Sequence, residues 1–570
     1  MRRSYYIIAA ILVIIGGAYT YFRFFLLKTK DQHPAPQAKN ILDLRPAMIN
    51  KLEDMVKHGS DGLYNLTIQK LEPDVSDATV DLYGIGLSPD SAAISRLDSL
   101  KQLPDDIFRI TLPHLHVTGL GIKDFLNKKN IDLGDIAFTE PKIYVYHRSR
   151  PYNAQRREKE NAKTLYQKLT EQFKSIVIRS VTADKGTLVS TDLSHGGRKK
   201  TFNNLTLSIR DFRVDSTTQF DRDRVLFSKE VELSSDHYES RTADSMYFFR
   251  IASIKVSATK HTMEATGTEL VPRYGRDEFE KKSRTVKDYF NMRFPKLVFN
   301  NVDWWLLMAD ESFASDDAEM SDAFISDYFD RTKPRDTINY RNFPGQLLKQ
   351  VPIKLNVKKL RIRNSMVEYE ELSPESLEKG KISFTGINGQ INNVTNIPAA
   401  IAANHQANVS LSAHFMKTVP VTTHFMFDLF QKDGVFATDI TIGKMDSAVI
   451  NPVLRPMGLV EIKEGTIDGG SARVTGNNYN AKADVCMLFS KLHLTPLKRD
   501  PRGEGLKKKT VLSFIANTFI LKKNNPEDGN PPHHSVVPQP RAKLANFFSF
   551  GWAAVHKGIL RSLGVPFKKG

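Results

Sequence analysis

Long stretches of the chain alternate between apolar and polar residues. The apolar positions of the three clearest segments are Val409, Leu411, Ala413 and Phe415; Phe425, Phe427 and Leu429; and Ala481, Ala483, Val485, Met487 and Phe489. An apolar residue at every second position predicts a strand with one covered and one wet face, as in an antiparallel sheet. Turn-forming clusters such as 431–434 and 477–480 separate these segments. The pattern therefore predicts a mainly β body with antiparallel strands from Gly62 onward.

Helical periodicity is confined to a few segments. It predicts helices over residues 46–57 and 154–173, and an amphipathic helix over about 541–564 in the C-terminal tail. The apolar stripe of that tail helix consists of Leu544, Phe548, Trp552, Val555, Ile559 and Leu563. Two roles fit the stripe. The helix either caps the open end of the sheet and hides its last edge, or lies on anionic lipid headgroups.

A short motif recurs along the β body. Each copy has a proline or lysine, two apolar residues at a spacing of two, and then a small turn-forming residue. The copies begin at Pro113, Lys174, Lys229, Pro295 and Lys358, so successive copies start 61, 55, 66 and 63 residues apart. A period of about 60 residues predicts repeated units of a few strands each, which stack into an elongated body.

The N-terminal segment has a different character. Tyr5 to Phe22 form a run of 18 residues without a charge, and Phe24 to Leu27 continue it after Arg23. As a helix the whole segment matches the ~30 Å hydrocarbon thickness of a bilayer. We predict an uncleaved single-span transmembrane helix within residues 1–30, with the anchor residues Tyr5, Ile11, Ile15, Phe22 and Leu27. A cleaved signal peptide is the alternative, but the segment has no clear A-x-A-like cleavage site.

The orientation of this anchor follows from its N-terminal flank. Basic residues lie on both sides of the apolar run, so the positive-inside count is nearly balanced. A short basic N-terminus ahead of an uncleaved apolar run usually stays in the cytoplasm. We therefore expect a single-pass inner-membrane protein whose body lies in the periplasm.

Composition narrows the range of functions. The chain has 570 residues, of which 41% are hydrophobic and 25% charged, as in globular proteins with more than one core. Its single cysteine, Cys486, excludes an intrachain disulfide and a cysteine-rich zinc site. The net charge of +17 suits an anionic partner such as a lipid surface or a nucleic acid. The basic residues do not cluster in a recognisable nucleic-acid-binding fold, so we expect no nucleic-acid partner.

None of the candidate catalytic or metal-binding motifs has the residue spacing that its chemistry requires. The segment 84–89 begins like a dinucleotide-binding loop but has a proline where the third glycine would stand. No carboxylate spacing or HExxH pattern accompanies His533 and His534. The acidic run over 310–322 lacks the EF-hand pattern and predicts a solvated helix or loop. We therefore predict a non-catalytic protein without a metal or other cofactor.

A C-terminal passage from Val351 to Lys498 carries a series of apolar and turn patterns. They are Val351-Pro352-Ile353-Lys354-Leu355, Val367-Glu368-Tyr369-Glu370-Glu371, Gly380-Lys381-Ile382-Ser383-Phe384, Ile391-Asn392-Asn393-Val394-Thr395-Asn396, Asn451-Pro452-Val453-Leu454-Arg455-Pro456 and Ile462-Lys463-Glu464-Gly465-Thr466-Ile467. With the N-terminal anchor and the repeated strand–turn units, this passage resembles bacterial AsmA-like proteins, a group that includes TamB-type assembly and lipid-transport factors. For residues 62–350 the resemblance is architectural only.

The resemblance implies a long, taco-like β-groove with an apolar interior, associated with phospholipid movement and outer-membrane homeostasis. The groove candidates in this sequence are Val409, Leu411, Phe415, Phe425, Phe427 and Leu429. Closed sandwiches, in which the apolar faces pack against each other, need the same alternation and stay open as an alternative. The expected regions are an anchor at 1–30, a repetitive β-rich region at 31–350, an AsmA-like β region at 351–500 and a tail at 501–570.

Together with these patterns, the resemblance implies a non-catalytic envelope protein that binds or passes lipid between membranes, or supports outer-membrane biogenesis. Its expected partners are membrane lipid, including a phospholipid ligand, and other envelope proteins. The alternative is a structural envelope scaffold that binds protein partners through its β body.

Overall fold

The structure is a computed structural model that describes most of the chain beyond the N-terminal segment. It covers residues 45–564 except for 75, 120–129, 154–174, 219–220, 222, 243, 284, 286, 311, 335–341, 352, 504, 509–521, 528 and 543–544. The described part is mainly β, which confirms the fold class that the alternation predicts. The predicted anchor within 1–30 and the predicted helix over 154–173 lie outside the described residues.

The described chain forms two compact units. The first contains the described residues up to Arg241, with 250–265 and 308–310, and the second contains the rest. The predicted boundary at 350/351 falls inside the second unit. The two neighbouring strands β10 (Tyr247–Ser257) and β11 (Thr262–Pro272) are divided between the units.

The first unit begins with the predicted N-terminal helix and continues almost entirely in strands. Its elements are α1 (Arg45–Gly59), β1 (Tyr64–Thr67), β2 (Lys70–Asp74), β3 (Thr79–Pro89), α2 (Ser91–Ser99), β4 (Asp106–Val117), β5 (Asn130–Thr139), β6 (Lys142–His147), β7 (Ser175–Asp192), β8 (Arg198–Val214) and β9 (Ser228–Arg241). Helix α1 buries Leu52 and Val56. Helix α2 starts at Asp90, whose carboxylate accepts a hydrogen bond from the Ala93 backbone N–H at 2.8 Å.

One interrupted strand organises the sheet of the first unit. β5 and β6 follow each other along β4, and both pair with it in the antiparallel sense. On the other side both pair in parallel with the single long strand β7, which is itself antiparallel to β8. The parallel pairs were not predicted, because alternation of apolar residues does not encode strand direction.

The second unit contains more strands than the first. Its elements after β11 are α3 (Arg276–Ser283), β12 (Tyr289–Val302), α4 (Trp304–Asp310, whose last three residues belong to the first unit), β13 (Ser312–Ser321), β14 (Phe324–Asp330), α5 (Pro344–Lys349), β15 (Lys354–Leu372), β16 (Lys379–Thr395), α6 (Pro398–Ala403), β17 (Gln406–Phe415), β18 (Val419–Asp428), β19 (Phe436–Ile442), β20 (Met445–Asp446), α7 (Asn451–Val453), β21 (Val460–Gly476), β22 (Asn480–Arg499), β23 (Leu506–Lys508), β24 (His534–Pro540) and α8 (Phe547–Ser562). From β15 to β19 the strands pair in sequence and antiparallel. β19 then pairs with β21, β21 with β22, and β22 with β24.

The strand pairing of the first unit is repeated about 182 residues later. His114 pairs with Thr139 in the first unit, and Lys296 pairs with Ser321 in the second, so both partners shift by the same 182 positions. The interrupted strand also recurs, since β13 and β14 pair antiparallel with β12 and parallel with β15. We call residues 64–241 the first copy and residues 247–415 the second copy. The chain therefore carries a tandem duplication of one strand topology.

This period differs from the predicted one of about 60 residues. The motif starts lie in or directly before β4, β7, β9, β12 and β15, all of which are strands. Pro113 and Pro295 occupy equivalent places, but the intervening motifs mark other strands of the same copy. The motif thus marks recurring stretches of strand and not a unit of structure, and the structural repeat is about three times longer.

The acidic run gives a second correction. The prediction of a solvated helix or loop over 310–322 is wrong, because residues 312–321 form β13. Ala318 is buried there, while Asp317 and Glu319 form ion pairs with Arg361 and Arg363 of β15. Charges that would repel each other in an isolated strand are thus balanced by the neighbouring strand.

Candidate functional site

Helix α8 lies across one face of the last strands of the second unit. It begins after Asn546, whose side-chain oxygen accepts a hydrogen bond from the Ser549 backbone N–H at 2.8 Å. Polar links join its second half to β24. The Lys557 ammonium donates to the Pro538 carbonyl at 2.8 Å, and the Ser562 hydroxyl lies 2.9 Å from that of Ser535. The helix therefore covers a sheet face, and at the same time it is tied to strand β24.

Small residues allow α8 to approach the sheet closely. Its buried positions are Phe547, Phe550, Ala554, Gly558 and Ser562, which recur every three or four residues. A Cβ atom at Gly558 would lie only 2.4 Å from Cγ2 of Val485 on β22. Phe547 and Phe550 thus fill the space between the sheet and the start of the helix. Towards its end, Gly558 has no side chain, so the helix backbone packs directly against Val485 of β22.

A buried arginine fixes the start of the helix. The Arg541 guanidinium stacks on the ring of Phe343 at 4.0 Å. Its Nη2 donates to the Ala545 carbonyl at 2.7 Å, and its Nη1 donates to the Asn478 side-chain oxygen at 3.1 Å. The residue therefore links the segment before α8 to the turn between β21 and β22.

The predicted groove residues face this helix. Val409, Phe427 and Leu429 are buried in one apolar cluster, and Leu411 and Phe425 pack against it. The cluster is closed by the α8 residues Phe547 and Phe550. Phe415 belongs to a neighbouring cluster, which contains Phe489. In this structure these faces are thus covered by a helix.

The predicted stripe of the tail helix lies on one flank of α8. Val555 and Ile559 pack against the cluster that contains Phe427, and Leu563 is buried in the cluster that contains Phe489. Trp552 packs against the cluster that contains Phe489, whereas Phe548 is 68% exposed. Leu544 lies outside the described residues. The buried face is rotated from the predicted stripe because glycine, alanine and serine supply the closest contacts, and hydrophobic periodicity does not register them.

An apolar cavity lies beneath the second half of α8. Its volume is about 60 Å³, space for roughly four to six waters at 10–15 Å³ each. Its walls come from α8, β21, β22 and the segment around α7, and they consist of Ile450, Leu454, Gly458, Val460, Ile462, Ile467, Met487, Leu492, Leu494, Pro496, Trp552, His556, Ile559, Leu560 and Leu563. Almost every one of these residues is apolar, so the cavity suits a hydrocarbon group.

The single titratable group in the cavity wall is a histidine. Burial lowers the pKa of His556, which favours the neutral imidazole. Its ring stacks on that of Trp552, with 5.8 Å between the ring centres. The wall therefore carries no formal charge at neutral pH, and the described residues place no general acid–base pair or nucleophile there.

The predicted membrane anchor cannot be placed in the same way. Tyr5, Ile11, Ile15, Phe22 and Leu27 lie outside the described residues. Among the helices of residues 45–564 that the structure describes, none is long and apolar enough to cross a bilayer.

Metal-ligating side chains converge elsewhere, in the first unit. Asp81, His114 and His116 offer one ligand atom each, and these atoms all lie within 4.8 Å of one another. The motifs of the sequence do not predict this group. The His-x-His spacing in a strand was the available signal, since it puts both rings on one face, but Asp81 is 33 positions away from His114 and only the strand pairing brings it there.

Comparisons with known proteins do not assign the chain. No protein family matches the sequence, and no curated protein matches it. Among solved structures, the crystal structure of the sex pheromone staph-cAM373 precursor matches with 10% sequence identity. The alignment covers 62% of this chain and 96% of that chain, with a TM-score of 0.10. A similarity this low carries no argument about fold or function.

Proposed function

We propose that this protein is a non-catalytic, membrane-anchored envelope protein of the AsmA-like kind, which binds the acyl chain of a lipid beneath helix α8. In this role it passes lipid between membranes or supports outer-membrane biogenesis, with its body in the periplasm. The observation that carries the proposal is the uncharged apolar cavity between α8, β21 and β22.

The energetics favour hydrocarbon over water in such a space. Each CH₂ group that leaves water contributes about 0.8 kcal/mol, and a wall without charges offers water few hydrogen bonds. A cavity of about 60 Å³ accommodates only a short part of an acyl chain. A longer chain therefore requires α8 to move away from β22.

Two properties of the sequence support a lipid as the ligand. The uncharged run from Tyr5 to Phe22 is long enough to hold the protein at a bilayer, where lipid is the most abundant apolar compound. The net charge of +17 favours anionic headgroups near the protein surface.

Tryptophan fluorescence offers a direct test. The chain has three tryptophans, and Trp552 lines the cavity. Replacing Trp304 and Trp305 with phenylalanine leaves Trp552 as the only reporter. We expect its fluorescence to be quenched when this full-length variant is placed in nanodiscs whose phospholipids carry brominated acyl chains, relative to nanodiscs of unbrominated lipid.

A cavity-filling substitution separates entry into the cavity from contact with the membrane surface. Val460→Phe adds volume to the cavity wall, whereas Val536→Phe adds the same volume at an exposed position of β24. The proposal requires quenching to be lost with Val460→Phe and kept with Val536→Phe. Quenching that persists in both variants would indicate that α8 lies on the bilayer, and its absence from the parent variant would exclude acyl binding at this site.

A scaffold that binds protein partners is the second candidate. Exposed apolar side chains favour it: Leu347 on α5 is 53% exposed, and Phe430 after β18 is 67% exposed. The two segments lie close together, because the Gln346 side chain donates a hydrogen bond to the Lys432 carbonyl at 2.8 Å. Loss of a stable protein partner in a Leu347→Ser/Phe430→Ser variant, with lipid quenching of Trp552 absent, would favour the scaffold.

A further inference from the structure

Three potential metal ligands meet on one face of the first unit. β3 and β4 are antiparallel, with Asp81 directly opposite His116 and Tyr83 opposite His114. His114 and His116 are two positions apart, so their side chains leave β4 on the same face. The sheet itself therefore brings two imidazoles and one carboxylate together, and no flexible loop is needed to hold any of the three.

The three side chains converge on one point. Nε2 of His114 and Nδ1 of His116 each lie 2.7 Å from Oδ1 of Asp81. The side chains are between a quarter and just over a third exposed, so an ion can reach them from solvent. We propose that Asp81, His114 and His116 bind a divalent transition-metal ion of the Zn²⁺ class, leaving further coordination positions for water or an anionic ligand.

The spacing of the atoms is compatible with coordination after a small adjustment. Metal–ligand bonds of about 2.0–2.2 Å in a tetrahedral site put neighbouring ligand atoms roughly 3.4 Å apart. The separation from each ring nitrogen to Oδ1 of Asp81 is 2.7 Å, so it must grow by about 0.7 Å to meet that value. Side-chain torsions can supply a change of this size without moving the strands.

A neighbouring aromatic ring holds one of the three proposed ligands in place. The ring of Tyr83 stacks on that of His114, with 4.6 Å between ring centres and an interplanar angle of 13°. This contact restricts the rotation of His114, as neighbouring groups commonly do for metal ligands.

The first unit also contains a histidine–carboxylate pair without a third ligand, which serves as a comparison for the proposed site. Nδ1 of His147 lies 2.7 Å from Oδ1 of Asp106, and no third ligand of the described chain joins that pair in a group. At the shift of 182 positions, Lys296 and Val298 of the second copy stand where the first copy has His114 and His116. The proposed site is thus a property of the first copy, and it does not depend on the proposed lipid function.

Direct titration of the full-length chain in detergent tests the proposal, with any affinity tag removed. We expect calorimetry at pH 7.5 to show one equivalent of Zn²⁺ per chain, and Co²⁺ to give the visible absorption bands of a low-coordinate site. His116→Gln and Asp81→Asn should each weaken binding at least tenfold, because each removes one of three ligands. His147→Gln is the matched control and should bind as the unmodified chain does.

Glutamine at position 116 can still donate a hydrogen bond to Asp81, which preserves the contact between β3 and β4. Circular dichroism would verify the fold of each variant. The proposal is overturned if the unmodified chain shows no saturable one-equivalent binding, or if binding is equally strong in His116→Gln and Asp81→Asn. Should either variant unfold, the Co²⁺ spectrum of the unmodified chain decides, since bands of a hexa-aqua ion alone would exclude coordination by imidazole.

Discussion

The two copies share a strand register but differ in what they carry. In the first copy, the face of β3 and β4 holds two histidines and an aspartate, whereas the second copy has lysine and valine in place of the histidines. Only the second copy continues into the strands that support α8 and its cavity. Pairing positions and turns therefore specify this topology, while individual residues on the strand faces can differ between the copies and provide separate chemistry.

Details of the backbone also recur between the copies. Gly84 and Gly267 both adopt left-handed conformations in the middle of a strand, with φ angles of 59° and 58°. The hydroxyl oxygen of Tyr64 accepts a hydrogen bond from the Phe108 N–H, and that of Tyr247 accepts one from the Phe290 N–H. These contacts are the features that most directly test whether the copies are physically equivalent.

The largest expected loss of stability concerns helix α8 and the strands beneath it, which have no counterpart in the first copy. Gly558→Val would place atoms against Val485, because even a Cβ atom there would lie 2.4 Å from Cγ2 of that residue. Overpacking of this kind costs about 3 kcal/mol, and we expect α8 to detach. Hydrogen exchange should accelerate in peptides of α8 and β22 and stay unchanged in peptides of the first copy.

Gly551→Ala is the matched control for that substitution. No atom lies within 4 Å of the Cβ that it would add, and alanine stabilises a helix interior by about 0.8 kcal/mol relative to glycine. If both variants accelerated exchange in α8 equally, the close contact at Gly558 would not be what holds the helix.

The next largest effect should appear in both copies. Gly84→Ala and Gly267→Ala force a side chain into the left-handed region, which costs about 1–2 kcal/mol. We expect a loss in both variants, larger for Gly84→Ala because its added Cβ would also lie 2.3 Å from the Gln69 side chain, and each loss is measured as faster hydrogen exchange confined to the strands of its own copy. A large loss at Gly84 with none at Gly267 would mean that the matching φ angles do not reflect matching constraints.

Replacing the two tyrosines, Tyr64 and Tyr247, should lower the free energy of unfolding by smaller and unequal amounts. Burial raises the pKa of Tyr64 to about 12 and also raises that of Tyr247, so both hydroxyls stay protonated at neutral pH. Tyr64→Phe leaves the Phe108 N–H without this acceptor and should cost about 1 kcal/mol. Tyr247→Phe should cost more, since Tyr247 also donates to the Asp288 carbonyl. Chemical denaturation of both variants checks this order, which equal or reversed losses would contradict.

The smallest effect concerns an exposed ion pair. The hydrogen bond from the Arg179 guanidinium holds the pKa of Asp135 below its ordinary value. A carboxyl with a lowered folded-state pKa stabilises the protein above its unfolded pKa of about 3.9, and the contribution disappears as the pH falls through the folded value. Because the pair is exposed, we expect Asp135→Asn to cost under about 1 kcal/mol at pH 7.

Thermal melting of the parent chain and Asp135→Asn between pH 7 and pH 3 checks that sign, since the difference should shrink as the pH falls. Asp317→Asn is the corresponding change in the second copy, where Asp317 pairs with Arg361. A difference that grows towards low pH would show that Asp135 acts through something other than its charge.

Much of the fold could be predicted from alternation, because the pattern reports directly which strand face is covered. The segments at 409–429 and 481–489 are strands β17, β18 and part of β22, as expected. Strand direction could not be predicted, since parallel and antiparallel strands alternate alike. The cavity and the Asp81 cluster were also out of reach, because both depend on contacts between residues far apart in the chain.

The interrupted strands have a consequence for how the chain is made. β7 can complete its parallel pairing with β5 and β6 only after residues 148–174 have left the ribosome, which takes roughly 1–5 s at elongation rates of about 5–20 residues per second. During this interval one edge of the interrupted strand has no neighbour, and the second copy meets the same delay over residues 331–353. The chain thus passes twice, once in each copy, through an exposed-edge state that favours pairing with wrong partners, so a holding chaperone should matter most while these two connections are being synthesised.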